Sequence, residues 1–183
     1  MKRYFLSLIM LACLSAVCVF SWEPSDLMDY PEGMEAGNFM LNFGAGLDVP
    51  EHSGPGYLYI PPIHASLDYN LALGDKRMPF FVGGTGGYSG YGYEDEWFYS
   101  KIYLGGRFGY HFNWGIRNLD TYAAATAGWI IYAGSGIAQN RKYGWPLIGV
   151  NIGARYFFSS VFGIWAEIGY SLSLIDAGLT FKF

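Results

Sequence analysis

The chain has 183 residues, of which 20% are aromatic, only 14% are charged and 26 are glycines. Soluble domains usually carry about a quarter charged residues, and a disordered segment would be less apolar than this chain. The formal net charge of −4 argues against a nucleic-acid partner, because such a partner requires a basic surface. The length fits a single domain.

Residues 1–21 have the pattern of a secretory signal peptide. Two basic residues are followed by an apolar run over residues 4–20. We expect cleavage after Ser21 or after Cys18. One alternative is an uncleaved membrane anchor, for which the run is short, and another is lipidation at Cys13.

The rest of the chain lacks cysteine, because Cys13 and Cys18 both lie in the signal segment. We therefore expect an exported protein without disulfides. Residues 22–37 are acidic and contain two prolines, and we predict a periplasmic leader with little structure there. Residues 38–183 are predicted to form the folded domain.

From residue 38 onward, bulky apolar residues alternate with small or polar ones, which is the two-residue period of β-strands. The fifth segment, DTYAAATAGWIIY, is ambiguous because its alanines would also suit a helix. The predicted strands cover about 39–48, 63–71, 79–89, 101–112, 120–132, 148–158, 162–170 and 175–183.

The connections between these strands alternate in length over most of the chain. Longer segments at 49–60, 90–98 and 133–145 alternate with shorter ones, and only the last connection is short where length is expected. Transmembrane barrels with up-and-down topology have this alternation. The sequence therefore predicts an all-β fold, a closed antiparallel up-and-down transmembrane barrel of eight strands.

The two faces of the predicted strands differ in chemistry. One face is bulky and apolar, and the other carries Gly, Ser, Asn and charges of both signs. A charge facing lipid at mid-depth would cost about 2–4 kcal/mol, so we place the charged face inside and the apolar face in lipid. The alternative is a secreted β-sandwich or a lipocalin-like barrel, whose apolar face points inward.

The inward charges are predicted to form an ion network in the barrel lumen. An eight-stranded barrel is just wide enough to be filled by side chains, and unpaired charges there would be strongly unfavourable. We expect a structural role for the network, with a small gated channel or a ligand site as the alternative. Its predicted members are Asp68, Lys101, Arg107, Arg155, Glu167 and Lys182.

Two further patterns are candidates for chemical sites. His64, Ser66 and Asp68 are residue types that can carry out acyl transfer, but they share an inward strand face, away from a lipid substrate. We therefore predict no catalytic residues and no enzyme. The spacings of His52, His64 and His111 match no metal-ligand signature, so no metal and no cofactor are predicted.

Two long connections are candidates for recognition of an extracellular ligand. Both mix aromatic and charged side chains, as binding surfaces do. The alternative is that they belong to an interfacial aromatic belt with solvated charges. The candidate residues are Tyr93, Glu94, Asp95, Glu96, Trp97, Arg141, Lys142 and Tyr143.

The segment 143–183, which ends in GLTFKF, resembles the small outer-membrane β-barrel families of the OmpA transmembrane domain, OmpX and OmpW type. In those families the last strand ends in an aromatic residue preceded by alternating apolar residues, and Leu179, Phe181 and Phe183 occupy the matching positions. The resemblance implies that this end is the signal read by the barrel-assembly machinery. It also implies a location in the outer membrane, in contact with its lipid.

From these observations we expect an integral outer-membrane protein with a structural or adhesin-like role through surface-exposed loops. A narrow OmpW-like transporter of small hydrophobic compounds is the alternative. A lipid A acyl-modifying enzyme is a third and weaker option, which would depend on Ser66.

Overall fold

A computed structural model describes residues 29–47, 56–72, 79–94, 96–136, 142–171 and 173–183, so the predicted signal peptide lies outside the described residues. In the part of the chain that is described, no helix is long and apolar enough to cross a membrane. The described strands are β1 (Phe39–Leu47), β2 (Tyr57–Asn70), β3 (Phe80–Tyr93), β4 (Trp97–Phe112), β5 (Leu119–Gly136), β6 (Lys142–Phe157), β7 (Phe162–Tyr170) and β8 (Ile175–Lys182).

The eight strands form one closed barrel, in which each strand pairs antiparallel with the next and β8 returns to β1. Closure occurs through pairs such as Phe43 with Leu179 and Gly44 with Gly178. In the closed part of the barrel no sheet edge of the described strands is open. A sheet that spans a membrane requires this, because lipid offers no hydrogen-bond partners for the backbone groups of an open edge. The predicted fold, a closed antiparallel up-and-down barrel of eight strands, is confirmed.

The ambiguous fifth segment forms β5, the longest strand, with 18 residues. It pairs along nearly its whole length with β4 on one side and β6 on the other. Pairing on both sides satisfies its backbone groups, and this tertiary context outweighs the helix preference of alanine.

The strands have unequal lengths, which corrects three predicted loops. Segment 49–60 is shortened because β2 begins at Tyr57. Segment 90–98 is mostly strand, because β3 continues to Tyr93 and β4 begins at Trp97. Segment 133–145 is likewise shortened by β5 and β6. Glycines and acidic residues favour turns in sequence, but here Gly90 and Gly92 lie in a ladder opposite Ser100 and Phe98.

The longer strands β2–β6 continue past the closed part of the barrel as a five-stranded sheet extension. β2 pairs with β1 only as far as Ile63, and β6 pairs with β7 only from Val150 onward. Beyond these points the described residues of β2 and β6 are the two edges of the extension. Pro61 and Pro146 lie on these edges and lack an N–H, which blunts edge-to-edge pairing.

Residues 29–37, predicted to have little structure, cover the opposite end of the barrel. Tyr30 and Met34 are buried and pack against Met40 and Phe157. The described leader residues contain turns but no helix or strand, in line with the prediction, and burial of their apolar side chains holds them in the mouth of the barrel. We call residues 29–37 the leader plug.

Hydrogen bonds hold the leader plug in place. The hydroxyl oxygen of Tyr30 lies 2.9 Å from the carbonyl oxygens of both Leu71 and Phe80, so its single proton is shared between them. The Lys182 ammonium donates to the carbonyl oxygen of Gly33. The plug is therefore anchored to β2, β3 and β8.

Candidate functional site

The outer wall of the barrel is apolar. On β6, Ile148, Val150 and Ile152 are 77%, 64% and 61% exposed, whereas Asn151 between them is 6% exposed. The same alternation exposes large side chains on other strands, among them Phe43, Leu104, Phe108, Ile164 and Leu179. A continuous apolar band of this kind is unusual on a protein surrounded by water and matches the environment of a hydrocarbon layer.

Arg155 is the centre of the barrel interior and is fully buried. It donates to Asp68 Oδ2 at 2.5 Å, to Asp120 Oδ2 at 2.7 Å and to Asn42 Oδ1 at 3.0 Å. These partners lie on β2, β5 and β1, while Arg155 itself lies on β6. One guanidinium therefore links four of the eight strands.

Arg107, on β4, is a second cation beside it. Its Nε lies 3.2 Å from Asp68 Oδ1, and its Nη2 lies 2.5 Å from Glu167 Oε1. The Tyr122 hydroxyl donates to the same Glu167 oxygen at 2.6 Å. Asp68 is thus shared by both arginines, and Glu167 connects β7 to the cluster.

His111 adds two further contacts to this cluster. Its Nδ1 lies 2.6 Å from Asp120 Oδ1 and its Nε2 lies 3.1 Å from Asn70 Oδ1. The Asn70 amide nitrogen donates to the Glu35 carbonyl, which fixes the amide oxygen toward the ring. His111 therefore connects Asp120 to the end of β2.

Aromatic rings fill the space around these charges. Phe81 and Tyr122 are almost completely buried, and the Arg155 guanidinium carbon lies 4.1 Å from the Tyr122 ring centroid. Gly109 and Gly153 face these rings without a side chain, and a Cβ at either position would collide with them. The interior is therefore occupied by side chains at mid-height.

Four of the six predicted lumen residues come together in this cluster: Asp68, Arg107, Arg155 and Glu167. The described contacts place Lys101 elsewhere, with its ammonium 5.6 Å from the Tyr91 ring centroid. Lys101 is six residues from Arg107 on β4, or roughly 20 Å along a strand, which is too far for a shared carboxylate.

Lys182 also lies away from the predicted network. It points inward at the plugged end, where its ammonium is 4.8 Å from the Phe157 ring centroid and bound to the Gly33 carbonyl. Sequence periodicity indicated the correct face of its strand but not its height in the barrel.

Sequence reasoning missed Asp120, Asn42, Tyr122 and His111 as members of the cluster. The signal for two of them was present in the fifth segment. Once that segment is a strand, Asp120 and Tyr122 share its inward face with Ala124 and Thr126. Because a helix remained possible for this segment, the sequence did not assign these two residues to the inward face.

His64, Ser66 and Asp68 share the inward face of β2 but have separate partners. The His64 Nε2 lies 2.5 Å from Thr85 Oγ1, and Ser66 accepts from Asn42. Asp68 binds the two arginines. The described contacts contain no hydrogen-bond relay among the three residues, so they do not form a nucleophile–base pair.

The predicted recognition residues separate into four groups. Tyr93 and Trp97 are strand residues opposite each other, whereas Glu94 and Glu96 are exposed at the turn between β3 and β4. Asp95 and Arg141 lie outside the described residues. For Lys142 and Tyr143 only the backbone is described, in the ladder opposite Ala133 and Tyr132.

Aromatic side chains cover the inward side of the sheet extension, and we call this surface the aromatic face. An irregularity between Ile60 and Ile63 changes the alternation of β2 and places its first tyrosines opposite those of β3. Neighbouring rings touch, as in Tyr57 with Tyr93 at 4.8 Å between centroids. The aromatic face consists of Tyr57, Tyr59, Tyr91, Tyr93, Trp97, Tyr99 and Tyr132.

The predicted assembly signal lies on the seam that closes the barrel. Leu179 and Phe181 are on β8, and the Phe181 ring lies 5.5 Å from that of Phe162. The backbone N–H of Phe183 donates to Phe39 at 3.1 Å, and the Phe39 N–H donates back at 2.7 Å. The last residue is therefore part of the seam.

Comparison with known proteins gives a structural similarity only. No protein-family model matches the sequence, and no curated protein matches it. Among solved structures, the chain is similar to the N-terminal β-barrel domain of OprF from Pseudomonas aeruginosa. The identity is 18%, the TM-score is 0.46, and the alignment covers 81% of this chain and 98% of that one. The fold assignment itself rests on the strand pairing described above.

Proposed function

We propose that this protein is an integral outer-membrane β-barrel with a closed lumen and a structural or surface-interaction role. The observation that carries the proposal is the sidedness of the barrel. Ile148, Val150 and Ile152 point outward, while Arg155 and Asp68 are completely buried inside. Only a barrel surrounded by hydrocarbon uses the two faces in this way.

The filled interior supports a closed lumen. Arg155, Asp68 and Asp120 form direct ion pairs across it, and Phe81 and Tyr122 occupy the remaining cross-section. An ion would have to break several buried charge pairs to pass, and each broken pair is strongly unfavourable. A diffusion pore is therefore not the function that we propose.

The sheet extension supports the surface-interaction role. The extension lengthens the hairpins at the end opposite the leader plug, and transmembrane barrels carry their longer connections outside the cell, so the extension would stand outside the cell. Its aromatic face offers large rings together with the Tyr93–Trp97 strand ends and the exposed Glu94 and Glu96. Tyrosine and tryptophan are enriched at binding surfaces because they combine a large apolar area with a polar group.

Planar-bilayer recording of the refolded protein tests the closed lumen. We expect no stepwise conductance in 1 M KCl, because the ion network fills the barrel. Regular single-channel steps from the wild-type protein would contradict the proposal and favour the narrow transporter. The double variant Arg107→Ala with Arg155→Ala is a useful positive control, since removing both guanidiniums opens space at mid-height.

Binding to arrays of immobilised oligosaccharides and extracellular-matrix proteins tests the surface role. We expect the double variant Tyr93→Ser with Trp97→Ser to lose binding that the wild-type protein shows. Tyr156→Ser is the matched control, because Tyr156 is an exposed aromatic at the other end of the barrel. Equal binding by both variants would contradict a role for the aromatic face.

A further inference from the structure

Beside the ion pairs of Arg107 and Arg155, the lumen holds a second group of buried polar side chains. His64 on β2, Glu167 on β7 and Asp176 on β8 each have a potential ligand atom, and these atoms all lie within 4.8 Å of one another. The three residues are 4%, 3% and 3% exposed. They come from three strands, so no sequence spacing could have revealed them.

Each of the three residues has a buried polar atom without a hydrogen-bond partner. These atoms are His64 Nδ1, Asp176 Oδ1 and Glu167 Oε2. Buried polar atoms are nearly always satisfied, and each one that is not requires an explanation such as an ion. His64 Nδ1 and Asp176 Oδ1 lie 4.0 Å apart, and a shared partner with positive charge would satisfy both.

The tautomer of His64 follows from its other nitrogen. Thr85 Oγ1 lies 3.3 Å from the Ala65 carbonyl oxygen and donates its proton there. The hydroxyl oxygen can therefore accept from His64 Nε2, which is 2.5 Å away. With the proton on Nε2, the neutral ring directs the lone pair of Nδ1 toward Asp176. Metal-bound histidines are commonly held in this way by a hydrogen bond at the second nitrogen.

The charge count also leaves room for a cation. Arg107 and Arg155 form ion pairs with Asp68, Asp120 and Glu167, so their two positive charges are already shared among three carboxylates. Asp176 is left over, with its Oδ1 4.0 Å from His64 Nδ1. The positive charge of Arg107 is directed to Asp68 and to the other oxygen of Glu167, so Glu167 Oε2 remains available.

The local backbone brings a hydroxyl beside Asp176. A Cβ on Gly46 would collide with the Asp176 carboxylate and with the hydroxyl of Ser173, so glycine is required for both groups to pack here. The Ser173 hydroxyl is therefore an additional oxygen close to the group. Ser173 and Lys101 also help to line a cavity of about 210 Å³.

We propose that His64, Glu167 and Asp176 bind a divalent transition-metal ion of the Zn²⁺ class in the barrel lumen. One imidazole nitrogen and two carboxylate oxygens are a ligand set that suits Zn²⁺. The fourth position falls to Ser173 or to water. Mg²⁺ fits poorly because it prefers six oxygen ligands and retains its own water. The ion links β2, β7 and β8 beside the seam of the barrel.

Isothermal titration of the refolded, untagged protein with ZnCl₂ tests the proposal, with MgCl₂ as the comparison ion. We expect one Zn²⁺ per barrel and no measurable uptake of Mg²⁺. His64→Ala and Asp176→Asn should each weaken Zn²⁺ binding by at least about tenfold, and Thr85→Val by about tenfold through loss of the supporting hydrogen bond. Binding without a defined stoichiometry, or equal binding by Asp176→Asn, would overturn the proposal.

His52→Ala is the matched control, because it removes another histidine of the chain. We expect it to bind Zn²⁺ like the wild-type protein, and loss of binding in this variant alone would place the ion elsewhere. If the lumen variants fail to fold, ¹⁵N NMR of the wild-type protein still decides. Zn²⁺ should then shift the His64 ring nitrogens and leave those of His111 unchanged, and the reverse result would refute the site.

Discussion

At the scale of single residues, Arg155 has the largest structural influence in the lumen. It binds Asp68, Asp120 and Asn42 while fully buried. Removing one member of a buried ion pair is strongly destabilising, because the remaining carboxylates stay buried without a compensating positive charge. Replacing the whole pair with apolar residues is far less damaging.

We therefore predict that Arg155→Met lowers the free energy of unfolding by about 3–5 kcal/mol. Urea-dependent unfolding in phospholipid vesicles measures this change. Lys101→Met is the control and should lose less than about 1 kcal/mol, because Lys101 lies outside the cluster and is partly exposed. Equal losses of unfolding free energy in the two variants would show that the buried cluster stabilises the barrel no more than a partly exposed charge does.

Tyr30 provides a residue-level test that depends on pH. Burial, reinforced by the nearby Tyr69, raises the pKa of the Tyr30 hydroxyl from 10.0 to about 12. A raised pKa means that the undocked leader loses this proton more readily than the docked leader does. Docking is thus at full strength below pH 10 and weakens as the pH rises from 10 to 12.

Absorbance at 295 nm measures this titration. The difference between the wild-type protein and Tyr30→Phe isolates one tyrosine, and we expect its ionisation near pH 12. Limited proteolysis should cleave the leader of the wild-type protein faster above pH 10, with a smaller pH effect in Tyr30→Phe. Ionisation of Tyr30 near pH 10 would mean that the leader is not docked.

At the scale of elements, sequence periodicity predicted which face of each strand points inward. It worked for β1, β4 and β6–β8 because bulky and small residues alternate strictly there. It failed to settle β5, whose outward Ala123 and Ala125 are small. It also predicted β2–β6 too short, because the ends of these strands contain proline, glycine or charged residues. The heights of Lys101 and Lys182 depend on strand register, which a single sequence does not reveal.

The lumen was therefore only partly predictable. Asp68, Arg107, Arg155 and Glu167 were expected to pair because opposite charges share one narrow space. The meeting of His64, Glu167 and Asp176 depends on how β2, β7 and β8 are staggered around the barrel. That stagger is set by the pairing register of every strand between them.

The last strand gives an element-level prediction about assembly. Deletion of Phe183 removes two hydrogen bonds with Phe39 and one ring contact. We expect a strong decrease in folded protein in the outer membrane of expressing cells, because the resemblance assigns the assembly signal to this end. Heat-modifiability on gels measures the folded fraction.

A control separates assembly from stability. Phe158→Ala removes an exposed ring near the same end of the barrel, and it should assemble normally. The Phe183 deletion should also refold from urea into short-chain lipid vesicles to nearly the wild-type extent. Equal loss in cells and in vesicles would instead indicate a stability defect.

At the scale of the whole molecule, the barrel combines an apolar wall, a charge-filled interior, a plugged end and an extended aromatic end. Each feature agrees with a protein that anchors a surface in a membrane without conducting through it. All of them depend on the direction of the side chains relative to lipid.

Magic-angle-spinning NMR in bilayers tests that direction most directly, by measuring magnetisation transfer from lipid methylene protons to the side-chain protons of the protein. We predict strong transfer to Ile148, Val150 and Ile152 and none to Asn151 or Arg155. Strong transfer to Arg155 and Asn151, with none to the isoleucines, would contradict the proposed membrane barrel.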